Sequence, residues 1–198
     1  MTMTVLRTFI AIELDEPLRY ALRAVRDRLE PDLPPRSVRW VDPVNTHLTL
    51  KFLGDTPSDK VDAIHQALVD AVAGFAPFTF TAAGLGCFPN IRRPNVIWIG
   101  VEEPGGTLAR LQVAVEAAVA PLGWHPEKKP FHPHLTLARV RRNVGGSERR
   151  AIGEVVARSD LGELGTVSVS GIALIRSDLR PTGPVYTQLA WVTLVEER

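Results

Sequence analysis

The spacing of apolar residues changes period several times along this chain, and each change marks an element. Val5–Leu14 is rich in β-branched and apolar residues and predicts a strand. Leu18, Leu22, Val25 and Leu29 then fall at helical spacing behind Pro17, which predicts an amphipathic helix over Glu16–Leu29. Pro31, Pro34 and Pro35 stop it. Val38–Val41 and His47–Leu53 read as strands across a turn at Asp42–Asn45. Thr56-Pro57-Ser58-Asp59 reads as a helix start with a capping hydroxyl, and Val61, Ile64, Leu68 and Val72 as its buried stripe, ended by Gly74.

Phe78–Leu85 and Val96–Val101 are expected as strands, with Gly86–Asn95 as an exposed loop carrying Arg92 and Arg93. Leu108, Leu111, Val115, Val119 and Leu122 define a third helix, stopped near Gly123. A strand over Phe131–Arg139 follows, then a short helix from a Ser147 cap to Arg158. Val167–Ile175 and Val185–Val195 are expected to close the fold. Several neighbouring strands are joined too closely for a helical crossover, so the pairing should be antiparallel and the class α+β.

Within this pattern one tetrapeptide occurs twice, as His47-Leu48-Thr49-Leu50 and His134-Leu135-Thr136-Leu137, 87 positions apart. Alternate side chains of a strand share a face. Each copy therefore puts His and Thr on one side and two Leu on the other. With the leucines on a core, the imidazoles and hydroxyls can face a cleft between two lobes. Histidine titrates near neutral pH and serves as acid or base. Threonine hydroxyls can donate to phosphate oxygens. Together these four side chains suit phosphate chemistry.

Composition narrows the picture. The chain has 198 residues, 45% of them hydrophobic, enough for a real core, and a net charge of +1. A global polycation is excluded, so any nucleic-acid contact is local. Arg139, Arg141, Arg142, Arg149 and Arg150 cluster beside the second motif, as a phosphate track or as a solvated loop and helix face. The lone Cys87 rules out an internal disulfide and a thiolate metal cluster, and its small, apolar neighbours suggest a buried structural thiol. The apolar stretch Thr8–Ile12 runs straight into Glu13, Asp15 and Glu16, unlike a secretory signal, and no segment suffices to span a membrane. A soluble, cytoplasmic protein is expected. His65, His125 and His132 are taken as non-catalytic. No Gly-rich phosphate loop is present, which argues against ATP-driven ligation.

The stretches Arg39-Trp40-Val41, Asn45-Thr46-His47-Leu48-Thr49-Leu50-Lys51-Phe52-Leu53-Gly54 and Phe131-His132-Pro133-His134-Leu135-Thr136-Leu137-Ala138-Arg139 resemble the bacterial and archaeal RNA 2′,3′-cyclic phosphodiesterases. These are also called 2′-5′ RNA ligases and belong to the two-histidine phosphoesterase superfamily. Arg7–Ile12 and Ser177 through Gly183–Tyr186 are similar too. The resemblance implies a single bilobal domain over 1–198, with two pseudo-symmetric antiparallel sheets and outer helices around a central cleft. It implies metal-independent, cofactor-free hydrolysis of an RNA 2′,3′-cyclic phosphate end to a 2′-phosphate. Some members also join or cleave 2′-5′ linkages in transfer-RNA halves.

On that resemblance His47 is the proton donor and His134 the proton acceptor, while the near-symmetric residues leave the roles open. Thr49 and Thr136 would hold the phosphate. Arg139 is expected near the substrate, although strict alternation from His134 places it on the opposite face unless a bulge intervenes. Phe9 and Trp40 are candidates to stack on the terminal base, or to pack in the core. Rival readings are a metal-dependent hydrolase, an RNA-end-binding protein without catalysis, and a phosphodiesterase for small cyclic nucleotides. Nothing in the residues demands more than a monomer.

Overall fold

The computed structural model describes residues 4–181 and 183–195. It opens with strand β1 (Val5–Glu13), helix α1 (Glu16–Leu29) and the short strand β2 (Val38–Trp40). The first motif begins β3 (His47–Pro57), which leads to α2 (Val61–Val72), β4 (Phe78–Phe88), β5 (Val96–Glu102) and α3 (Thr107–Val119). The second motif begins β6 (His134–Val140), followed by α4 (Gly146–Arg158), β7 (Glu163–Val169), β8 (Gly171–Arg180) and β9 (Gly183–Thr193).

Helix α1 shows how directly the sequence specifies its elements. Asp15 Oδ1 accepts from the Leu18 amide at 3.0 Å, capping the N-terminus, and Pro17 sits in the first turn. Leu18, Leu22, Val25 and Leu29 are all buried. The second helix starts later than its sequence suggests. Strand β3 runs on to Pro57, and Thr56 is fully buried, its hydroxyl 2.7 Å from that of Thr8 on β1. A cross-strand hydrogen bond has taken the hydroxyl that would have capped the helix. The loop expected over Gly86–Asn95 is shortened by β4, which runs to Phe88. Ser147 lies inside α4, and Glu148 instead accepts from the Gly145 amide at 3.0 Å. The strand expected over Val167–Ile175 is divided at Ser170 into the antiparallel strands β7 and β8, which lie at different places in the sheet.

Every pairing among the described strands is antiparallel, as the short connections predict. The strand order is β7-β4-β5-β6-β3-β1-β8-β9, with β2 also on β6. The two motif strands meet at the centre, where Leu48 pairs with Leu135. One half of the sheet is thus β3-β1-β8-β9 and the other β6-β5-β4-β7. Both are built on the same order of strand, helix, motif strand, helix.

The helices exchange sides. Helix α1 packs beneath β7, while α3 packs beneath β3 and beside α2. Each half is therefore covered partly by a helix that arises from the other. One continuous apolar cluster runs beneath the whole sheet, from Ile10 and Leu22 to Ile152 and Leu174. Leu48, Leu50, Leu135 and Leu137 lie in it, each no more than 3% exposed. Burial of each contributes about 2 kcal/mol. A one-residue register slip would forfeit that on both motif strands, so the leucines hold the histidines and threonines on the opposite face.

Candidate active site

That opposite face forms a cleft of about 420 Å³ lined by His47, Thr49, His134, Thr136 and Arg139, among others. The sequence motif therefore arrives in one place. His47 Nδ1 donates to the Asn45 carbonyl at 3.0 Å, and His134 Nδ1 donates to the His132 carbonyl at 2.7 Å. A carbonyl only accepts, so both neutral rings carry their proton on Nδ1. Nε2 is left free on each ring for a ligand. Neither threonine hydroxyl has a protein partner among the described residues, which leaves both for the cleft's occupant.

Burial lowers the pKa of His47 to about 4, against the Asn45 hydrogen bond, with Arg139 and His134 adding to the drop. His134 is also lowered, first by burial and then by Arg139 and His132. Both shifts favour the neutral imidazole at pH 7. Their rings are held by aromatic neighbours of different kinds. Phe9 stacks on His47 at 4.4 Å and 24°, and Tyr186 meets its edge at 5.3 Å. On the other side Phe88 meets His134 edge-on at 4.9 Å.

Arg139 reaches the cleft through a bulge. On β5, Ile97 faces Ala138 but Trp98 faces Thr136, so Leu137 is an extra residue on β6. After the bulge the alternation is inverted. Ala138 is fully buried and Arg139 turns to the cleft. The first motif has the same device. Ile10 faces Lys51 and Ala11 faces Thr49, leaving Leu50 extra. Lys51 is thereby turned inward, 3% exposed, where its Nζ meets Glu116 Oε2 at 2.7 Å and the His125 carbonyl at 2.8 Å. Phe52 turns to the cleft, 55% exposed. The corresponding positions of the two motifs thus present Phe52 on one side and Arg139 on the other, which breaks the symmetry of the site.

Phe9 and Trp40 do not present free faces. Phe9 is 2% exposed in a small cluster with Ala11, Ala173 and Ile175, and its ring is spent on His47. Trp40 borders the cleft but pairs with the buried Ala138, and its indole donates to Glu30 on α1 at 3.0 Å. Its ring also lies beneath Arg26. The geometry gives both rings packing roles in place of base stacking. The open aromatic surface belongs to Phe52.

The arginine cluster after the second motif divides in the same way. Arg149 donates to the carbonyls of Pro94, Arg141 and Val144 and to Asn95 Oδ1, a strut that ties α4 to two loops. Arg142 and Arg150 stay exposed. Cys87 is buried at 7% exposure, as its neighbours suggest. Residues that sequence reasoning passed over are Arg7, Arg39, Phe52 and Tyr186, all lining the cleft. The inverted parity after each motif was the signal for Phe52, but it becomes visible only once the strands are paired.

Among the described residues no group of three or more His, Cys, Asp or Glu is placed to hold a metal ion. Among them, too, no helix is long and apolar enough to cross a membrane.

Residues 12–98 and 99–186 each match the family profile described as LigT like Phosphoesterase. The two matches divide the chain so that each contains one motif. An RNA 2′,3′-cyclic phosphodiesterase of Methanothermobacter thermautotrophicus is 37% identical over 183 residues, which are 92% of this chain and 96% of that protein. One from Aquifex aeolicus is 32% identical, over 93% of this chain and 95% of that one. Among solved structures, a Thermus thermophilus protein superposes with a TM-score of 0.78 at 32% identity, covering 97% of this chain and all (100%) of that one. Escherichia coli LigT complexed with 3′-AMP gives 0.75 at 26% identity, covering 98% and 100%. With the family profile matched across both halves and relatives aligned over nearly their whole length, the chain belongs to the LigT-like phosphoesterase family.

Proposed function

We propose that this protein opens the 2′,3′-cyclic phosphate at the end of an RNA, leaving a 2′-phosphomonoester, by metal-independent acid–base catalysis with His47 and His134. The observation that carries the reading is the paired imidazoles on one cleft, each with Nδ1 tied to a backbone carbonyl and Nε2 free. The names of the relatives, RNA 2′,3′-cyclic phosphodiesterases, supply the substrate class.

In this mechanism His134 Nε2 takes a proton from water as the water oxygen attacks phosphorus. The bond from phosphorus to O3′ breaks in line with the attack, and His47 Nε2 donates a proton to O3′. The hydroxyls of Thr49 and Thr136 and the guanidinium of Arg139 hold the non-bridging oxygens, whose charge grows in the transition state. Burial keeps His47 neutral at pH 7. The anionic phosphodiester favours its protonated form on binding, so the acid is loaded as the substrate arrives. With a ribose hydroxyl in place of water, the same two groups would form a 2′-5′ linkage.

The test uses a short RNA ending in a 2′,3′-cyclic phosphate, with excess chelator, and compares the wild type with His47→Ala and His134→Ala. Wild-type conversion to the 2′-phosphate, lost in both variants, is the expected result. A wild type that binds the end without turnover would replace the enzyme with an RNA-end-binding protein.

A further inference from the structure

Strand β2 brings a second cation to the cleft in an arrangement that costs stability. In the β2–β6 register Arg39 lies directly opposite Arg139, and both line the cleft. Like charges facing each other across an antiparallel pair destabilise it. The pair cannot slip apart, because backbone hydrogen bonds fix β2 at both ends. Val41 donates to the Leu137 carbonyl at 2.9 Å, and Arg141 donates to the Ser37 carbonyl at 2.8 Å. Neither arginine forms an ion pair among the described residues.

The nearby carboxylates are engaged elsewhere. Asp42 accepts from the Val44 amide at 3.1 Å, and Asp178 accepts from Arg176 at 2.8 Å. Arg7, also on the cleft, differs from Arg39 in having Asp55 opposite it on β3. The Arg39 guanidinium approaches Gly183, the first residue of β9. Its Nη2 lies 3.5 Å from where a Cβ would stand on Gly183, an ordinary van der Waals distance.

The two arginines do not duplicate each other. The charge of Arg139 acts on both His47 and His134, at the reacting centre. Tyr186 feels Arg139 first and then Arg39 and Arg7, whereas Arg39 does not act on either histidine. Arg139 thus serves the reacting phosphate, and Arg39 stands opposite it on β2, lining the same cleft without an ion pair among the described residues. A polyanion with regularly spaced phosphates relieves the repulsion by placing one phosphate on each.

We propose that Arg39 binds the phosphate on the 5′ side of the terminal nucleoside, so that the cleft reads two consecutive phosphates and favours a polynucleotide end over a cyclic mononucleotide. The inference rests on the hydrolysis proposed above and names a specificity residue for it. A guanidinium holds a phosphate through two parallel hydrogen bonds, which lysine cannot reproduce and glutamine replaces without charge.

Three substrates isolate the contact: adenosine 2′,3′-cyclic phosphate, the same compound with a 5′-phosphate, and the dinucleotide ApA ending in a 2′,3′-cyclic phosphate. The wild type should show a higher kcat/KM on the second and third than on the first. Arg39→Gln should lose about 10-fold on both of these, and stay within about twofold on the first, whose turnover also reports that the variant is folded. Arg39→Lys should fall between. The salt slope of log kcat/KM on the dinucleotide should flatten by about 0.7 in Arg39→Gln, the share of one phosphate contact on a single strand. An equal loss on all three substrates would move Arg39 to the reacting phosphate and overturn the proposal. So would a preference that survives the substitution, or a loss on the dinucleotide alone, which would point to a nucleoside contact. A wild type that turns over none of the three would sink the hydrolase reading itself.

Discussion

His47→Gln removes an imidazole whose charged form the cleft disfavours, and the effect should appear in stability as well as in turnover. Burial holds the folded-state pKa near 4, against 6.5 for an unperturbed histidine. As pH falls through 6.5 the unfolded chain takes up this proton first, while the native ring stays neutral. The native state therefore loses stability as pH falls, until the folded pKa near 4 is reached. At about 1.36 kcal/mol per pH unit, the loss between pH 7 and pH 5 is about 2 kcal/mol. Other titrating groups also destabilise the protein in acid, so the quantity to measure is a difference of differences. Urea unfolding of wild type and His47→Gln at pH 7 and pH 5, followed by circular dichroism, provides it. The wild type should lose about 2 kcal/mol more than the variant over that interval, and the gap should stop growing below about pH 4. Parallel losses in the two proteins would mean that the ring titrates normally and is not desolvated.

His47→Ala and His134→Ala should each lower kcat by about 10²- to 10⁴-fold, with the double variant no worse than about the product of the two, in single-turnover assays on a cyclic-ended RNA. Turnover should survive excess chelator, and loss on chelation would revive a metal-dependent hydrolase. Lys51→Ala should destabilise the protein by about 3–5 kcal/mol, because it leaves the Glu116 carboxylate buried without its cation, whereas Lys51→Met with Glu116→Leu should recover most of the loss in urea unfolding. Leu135→Ala should cost about 2–5 kcal/mol at a fully buried position where the two motif strands meet. A loss below about 1 kcal/mol would show that the strands are held by something other than their leucines.

Much of the fold and the centre of the site were legible because they depend on local repetition. The period of Leu18, Leu22, Val25 and Leu29 marks α1 to its observed bounds, since helical spacing and capping act within a few residues. The repeated His-Leu-Thr-Leu marks both motif strands and the faces they present, because alternation in an extended chain is geometric. What escaped the sequence depended on a partner strand. Thr56 reads as a helix cap until Thr8 takes its hydroxyl. Val167–Ile175 reads as one strand until Ser170 divides it between opposite halves of the sheet. Trp40 reads as a stacking surface until its pairing with Ala138 sets it towards the core.

By itself, then, the sequence determined most of the strands and helices, that the two histidines and two threonines share a type of surface, and which family they resemble. Tertiary structure alone decided that Arg39 and Phe52 line the cleft, and how Arg139, expected there from the family resemblance, comes to face it. The cause lies in the two bulges. An extra residue in a strand inverts every side chain beyond it, and whether a residue is extra is defined only by what stands opposite on the neighbouring strand.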